Sequence, residues 1–366
     1  MPARKLKIRP EPDFGRFEKV LRRRGIPDRV PFYELFSNIE AEVLSAIDTP
    51  EEVDAKLFQG KGEDRILQHR IAYMFSLGYD YVNVGARNFR FPQKERPKGV
   101  DDYGTRSYLR GASHTIANRE DFESYPWPVM SGIDYSPLER VSSLLPDGMK
   151  VISNGPGGVL ENVMWLLGYE GISYLIYDDE PLVRDMFEMV ATRIIEYFDI
   201  LASYDVVGAL TLGDDMGFKT QTLLSPAIYR KYLFPWHKKL VETVHRHGKP
   251  IILHACGNLD EVMEDIIACG WDAKHSFEDA IEPVWEVKRK YGDCIALLGG
   301  FDMDKISRMT EPEVRVHTRF LIEKCASGGG WALGTGNSVA NYVPVQNFLT
   351  MLEEGFLEGS YHETVR

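Results

Sequence analysis

The chain has only four cysteines in 366 residues, at positions 256, 269, 294 and 325, and no two of them form a C-x-x-C pair. Nothing in that spacing suggests a disulfide framework, and the basic opening Arg4-Lys5-Leu6-Lys7-Ile8-Arg9 has no apolar signal region behind it. The expectation is a reduced, cytoplasmic protein. No apolar run approaches the ~20 residues that a membrane helix needs. Positive charge is also short, with 43 Lys and Arg against 55 Asp and Glu and a net charge of −12. That sign disfavours binding to a phosphate backbone, so neither membrane nor nucleic acid is an expected partner. The Gly155-Pro156-Gly157-Gly158 stretch lacks the Lys-Ser/Thr of a P-loop, which favours a tight strand-to-helix turn over an anion cradle.

What the chain does have is alternation. Short aliphatic runs around 29–36, 79–84, 150–154, 206–212, 251–254, 273–277, 294–298 and 331–333 read as strands,. Helical patterns separate them, and Gly or Pro marks many of the boundaries. Eight strands alternating with helices predict an α/β chain folded as a TIM (β/α)8 barrel. Residues 1–13 read as a solvated N-terminal arm and 14–366 as a single domain. Within it, residues at about 86–135 break the rhythm, which suggests a hairpin insertion after the second strand.

In such barrels the chemistry sits at the C-terminal strand ends. That rule gathers Tyr33, Glu34, Asn83, Asp214, Asp215, His254, Cys256, Glu278, Asp302 and Asn337 on one face. The central stretch is Ile251-Ile252-Leu253-His254-Ala255-Cys256-Gly257-Asn258. Alternation along an extended strand points His254 and Cys256 the same way, and imidazole with thiolate is a donor pair that zinc prefers. Glu278, at the end of the next strand, is a third candidate ligand. The bland alternatives are a buried imidazole and a buried thiol, with Glu278 merely opening the next helix. Glu34, Asp214 and Asp215 are candidate catalytic acids, the aspartates alternatively serving as helix caps. Tyr33, Asn83, Asp302 and Asn337 are candidate substrate contacts.

Several stretches carry a family resemblance. They are Pro27-Asp28-Arg29-Val30-Pro31, Gly155-Pro156 with Leu167-Gly168-Tyr169-Glu170, Gly213-Asp214-Asp215, Leu224-Ser225-Pro226, His254-Ala255-Cys256-Gly257-Asn258 and the Gly-x-Gly at 334–336. In this order the chain resembles the uroporphyrinogen decarboxylase superfamily, and departures from the pattern favour its zinc-dependent corrinoid methyltransferase branch. The arginine-rich end of the decarboxylase's first strand is replaced by Tyr33-Glu34-Leu35-Phe36-Ser37. Asn83 stands for the decarboxylase's aspartate and Asn337 for its late histidine, at the place where the methyltransferases have their third ligand, a cysteine. The resemblance implies zinc held by His254, Cys256 and Glu278, with Asn337 orienting bound water. The implied activity is activation of a thiol, or of a methoxylated substrate, for methyl transfer to or from a corrinoid partner protein. A metal-independent, decarboxylase-like lyase acting on a carboxylated substrate remains the alternative, and a non-enzymatic binding barrel is a third possibility.

Overall fold

The computed structural model describes residues 4–48, 63–94, 98–100, 107–109 and 114–361. The aliphatic runs become strands β1 (Tyr81–Asn83), β4 (Lys150–Asn154), β5 (Val207–Gly213), β6 (Ile251–His254), β7 (Ala273–His275), β8 (Ala296–Leu298) and β9 (Trp331–Ala332). They form one seven-stranded sheet in the order β1-β4-β5-β6-β7-β8-β9, and every neighbouring pair is parallel. Parallel neighbours need long crossovers, and amphipathic helices such as Glu180–Ser203 and Phe234–Arg246 supply them,. Helices cover the outside, so the strands are aliphatic rather than alternating: Leu210, Leu212, Ile251, Ile252, Leu253, Leu297 and Leu298 are all fully buried,.

The run expected as the first strand, 29–36, survives as isolated bridges, parallel from Phe32 to Leu333 and antiparallel from Arg29 to Ser360. Tyr33 N donates to Leu333 O at 2.8 Å and Leu333 N to Pro31 O at 2.9 Å. On its other side, toward β1, side chains replace the ladder. The Tyr81 hydroxyl accepts from Glu34 N at 2.7 Å and donates to Glu34 O at 2.9 Å. Asn83 Nδ2 donates to Leu35 O at 2.9 Å. The segment therefore bridges β9 to β1 across the two edges of the curled sheet.

At the N-terminal end, Arg16 reaches Asp80 at 2.5 Å and Asp28 at 2.6 Å, and Arg29 lies 3.6 Å from Asp80. Asp80 immediately precedes β1 and is buried. The Pro27-Asp28-Arg29 signature thus belongs to an ionic network, buried at Arg16, Arg29 and Asp80 and exposed at Asp28, at the rim opposite the strand ends, where stability rather than chemistry is served,.

The helix over Val159–Leu167 forms as the pattern suggests, but Gly168 at φ +76° ends it and a further helix, Tyr169–Asp178, follows. Met303–Arg308 is another helix the sequence pattern did not reveal. In the irregular region β2 (Lys98–Val100) and β3 (Ser107–Leu109) pair antiparallel. Residues 95–97, 101–106 and 110–113 of the expected insertion lie outside the described residues. Of the expected arm, Arg4 donates its amide to Ala46 O at 2.7 Å and its guanidinium to Glu353 at 2.5 Å, and Ile8 is buried. Among the described residues no helix is long and apolar enough to cross a membrane.

Candidate metal centre

The sheet register builds the site. Gly213 pairs with His254 at the ends of β5 and β6. The ladder continues past both strands, with Asp214 N donating to His254 O at 2.9 Å and Gly217 N to Cys256 O at 3.0 Å. Asp215 is thereby set across from Cys256, whose amide donates to Asp215 Oδ1 at 2.9 Å. The Cys256 sulfur lies 3.5 Å from His254 Nε2, and Asp215 Oδ1 lies 3.8 Å from the same nitrogen. One donor atom from each of the three residues falls within 4.8 Å of the others.

Two further side chains converge on the sulfur. Ser276 Oγ and Asn337 Nδ2 each donate to it at 3.3 Å. Ser276 reaches it from a left-handed backbone at φ +85°, a conformation that costs a non-glycine residue on the order of 1 kcal/mol or more,. His254 Nδ1 meets His275 Nδ1 at 2.8 Å, and His275 Nε2 meets the Thr335 carbonyl at 3.2 Å. Behind the site the buried Lys274 ammonium donates to Ser276 O at 2.6 Å. Burial pulls Lys274 down to about 8 and, against the pull of Asp215, His254 down to about 4. Burial and then the charge of Asp215 push the Cys256 thiol up to about 12.

The donor set fits zinc. A tetrahedral ion with bonds of roughly 2.3 Å to sulfur and 2.0–2.1 Å to nitrogen separates those two ligands by about 3.5 Å. The observed separation of Cys256 Sγ and His254 Nε2 is 3.5 Å. A neutral imidazole is ready to ligate, while a thiol of raised pKa needs a cation to lose its proton, which is what zinc does to a coordinated cysteine. Three protein ligands leave a fourth position for water or substrate.

The structure brings together His254, Cys256 and Asp215, with Asn337 beside them, and leaves Glu278 outside. Glu278 is exposed, and its carbonyl accepts from Ile281 N at 2.9 Å and Glu282 N at 3.0 Å, so it opens the following turn. The left-handed Ser276 ends the alternation on which its expected direction depended. Asp214 and Asp215, as neighbours in an extended chain, point apart. Asp214 is fully buried, and its carboxylate accepts from Val159 N at 3.0 Å, Leu160 N at 3.2 Å, Glu161 N at 3.0 Å and His237 Nε2 at 2.8 Å. It caps the helix that follows Gly155-Pro156-Gly157-Gly158, whose turn brings the amides of residues 159–161 onto the carboxylate. A Cβ on Gly158 would meet Asp214 Cγ at 2.0 Å.

Glu34 is also spoken for. Its Oε1 accepts from Thr335 N at 2.8 Å, and its Oε2 contacts the Thr335 hydroxyl, which also faces the Asn337 carbonyl. One hydroxyl proton cannot serve both oxygens, so a proton on Glu34 completes the set. Burial holds the Glu34 carboxyl up at about 8 in accord with this. Tyr33 is buried with its ring edge-on to His275 at 5.0 Å, out of a substrate's reach. Asp302 caps the helix Met303–Arg308 through Asp304 N and Lys305 N and accepts from Asp279 N at 2.9 Å. Asn83 lines a polar cavity of about 340 Å³ together with Glu34, Arg70 and Asn154. Glu161 escaped the sequence reading: burial and the charges of Asp214 and Asp215 raise it to about 8 beside the centre. Its signal was the Gly-x-x-Glu spacing of a helix capping box, which gives no hint of a distant carboxylate,.

Comparison with known proteins adds the following. The family described as Uroporphyrinogen decarboxylase (URO-D) matches residues 143–355, more than half of the chain. Among solved structures, a methyltransferase from Methanosarcina mazei superposes with a TM-score of 0.69 at 15% identity, covering 93% of this chain and 97% of that one. At that identity the likeness speaks for the fold, a TIM barrel. Xylanase B from Clostridium stercorarium F9 has a TM-score of 0.38 at 11% identity, covering 62% of this chain and 85% of its own. A β-L-arabinopyranosidase from Geobacillus stearothermophilus has a TM-score of 0.41 at 14% identity, covering 93% and 78%. Scores that low carry no weight. No curated protein matches.

Proposed function

This chain belongs to the uroporphyrinogen decarboxylase family, and from that premise we propose that it is a zinc-dependent methyltransferase of that superfamily. It would activate a thiol, or a methoxylated substrate, for methyl transfer to or from a corrinoid carried by a partner protein. The observation that carries this reading is the convergence of Asp215, His254 and Cys256 within 4.8 Å at the C-terminal strand ends. Those three residues would hold the metal. Zinc there supplies a Lewis acid that lowers the pKa of a thiol toward neutrality.

The chain's own groups support that task. Asn337 and Ser276 donate to the Cys256 sulfur and so stabilise it as a thiolate ligand,. The amide of Cys256 holds the Asp215 carboxylate in place. The cavity of about 340 Å³ beside Asn83, Asn154 and Arg70, at the ends of β1 and β4, suits the polar tail of a small substrate. The metal-free lyase reading is narrowed to Asp215 as its acid, because Asp214 is enclosed by three amides and a histidine.

The test uses protein purified without chelators, methylcobalamin as the methyl donor probe and 2-mercaptoethanol as the thiol probe, with transfer followed by the corrinoid absorbance. Transfer that ceases on zinc removal and returns with zinc is the expected result. Zinc-independent release of carbon dioxide from a carboxylated substrate, with no methyl transfer, would establish the lyase instead.

A further inference from the structure

A carbonyl oxygen only accepts, so the 3.2 Å contact between His275 Nε2 and Thr335 O makes His275 Nε2 the donor,. His275 is fully buried, and its ring nitrogens meet the Thr335 carbonyl and the His254 ring, so no carboxylate among the described residues is there to balance a charge on it,. The ring is therefore neutral, and with Nε2 protonated its Nδ1 carries a lone pair. That lone pair faces His254 Nδ1 at 2.8 Å, which must then carry the hydrogen. The remaining nitrogen, His254 Nε2, is left with its lone pair aimed at Cys256 Sγ, 3.5 Å away, and Asp215 Oδ1, 3.8 Å away. An unconstrained neutral histidine favours the opposite tautomer, with hydrogen on Nε2.

We propose that His275 is the positioning residue of this centre: through the Thr335 carbonyl it sets His254 in the Nδ1–H tautomer and so presents a ligating lone pair before any ion arrives. The consequence for zinc affinity rests on the metal-centre reading, whereas the tautomer does not. The relay is held from behind. Thr335 is pinned by Glu34, and the His275 ring is packed edge-on against Tyr33 at 5.0 Å. Gly299 lies so near that a Cβ there would stand 3.1 Å from the His275 ring and 2.2 Å from Thr335 O. Any side chain at position 299 would therefore push the His275 ring and the Thr335 carbonyl apart.

The test begins with metal-free wild-type protein carrying ¹⁵N-labelled histidine, with His254 assigned by the signal lost in His254→Gln. Long-range ¹H–¹⁵N correlation should show His254 protonated at Nδ1 and unprotonated at Nε2. A protonated Nε2 overturns the proposal whether or not zinc binds. In His275→Leu the His254 signals should move toward the Nε2–H form, and zinc affinity, read by competition with a chromophoric chelator, should fall about tenfold or more. His275→Gln retains an acceptor and a donor at similar reach and should recover most of that loss. If it binds as poorly as His275→Leu with His254 still in the Nδ1–H form, His275 acts by packing and the proposal fails. A wild type that shows the expected tautomer but takes up no zinc contradicts the metal centre and leaves the relay standing.

Discussion

The amide of Cys256 donates to Oδ1 of Asp215 at 2.9 Å, while the carboxylate one residue earlier, Asp214, faces the other way into a helix N-terminus. One aspartate is therefore offered to the centre and its neighbour to the fold. Asp214→Asn, with four donors aimed at a weakened acceptor, should lower stability on the order of 3 kcal/mol. Asp215→Asn should leave the urea midpoint close to wild type. Equal destabilisation by both would contradict this division of labour.

Glu34 gives a pH signature. Its folded pKa of about 8 stands above the ordinary value of 4.5, so the folded state holds the proton more tightly. The stabilisation this gives is complete below about 4.5 and is lost as pH rises through about 8,. Glu34→Gln mimics the protonated form and should flatten that part of the decline while preserving activity. Urea unfolding at several pH values in this window measures it. An unchanged slope, or an inactive but folded Glu34→Gln, would return Glu34 to the catalytic role first expected of it.

Ser276 is expected to respond to shape rather than polarity. Ser276→Gly should be neutral or stabilising by up to about 1 kcal/mol, since glycine tolerates φ +85°,. Ser276→Val should cost roughly 2 kcal/mol, because a β-branched residue is strained there. Both variants lose the hydroxyl donor to Cys256. Denaturation midpoints that agree for the two would show that the backbone is not strained at this position.

The strand pattern was legible because a parallel sheet covered on both faces writes itself as aliphatic runs, and Ile251–His254 is the clearest,. The pairing of His254 with Cys256 was equally legible from the local spacing. Glu278 was misleading, since the period-2 rule fails once Ser276 leaves the extended region. Asp215 stood in plain view as a candidate acid, and counting the parallel register two residues beyond Gly213 opposite His254 would have set it across from Cys256. Asp214 was harder, because its amide partners lie more than fifty residues upstream. Asp302 is consumed as a helix cap and Tyr33 by packing, uses that the strand-end rule does not foresee.

The metal content of protein purified without chelators, and of three variants treated identically, bears most directly on the centre. Wild type and Glu278→Gln should each carry about one zinc per chain, while Cys256→Ser and Asp215→Ala should lose most of it with unchanged folding. Zinc retained by Asp215→Ala but lost by Glu278→Gln would move the third ligand to Glu278. A wild type that binds none after incubation with zinc would remove the metal centre altogether.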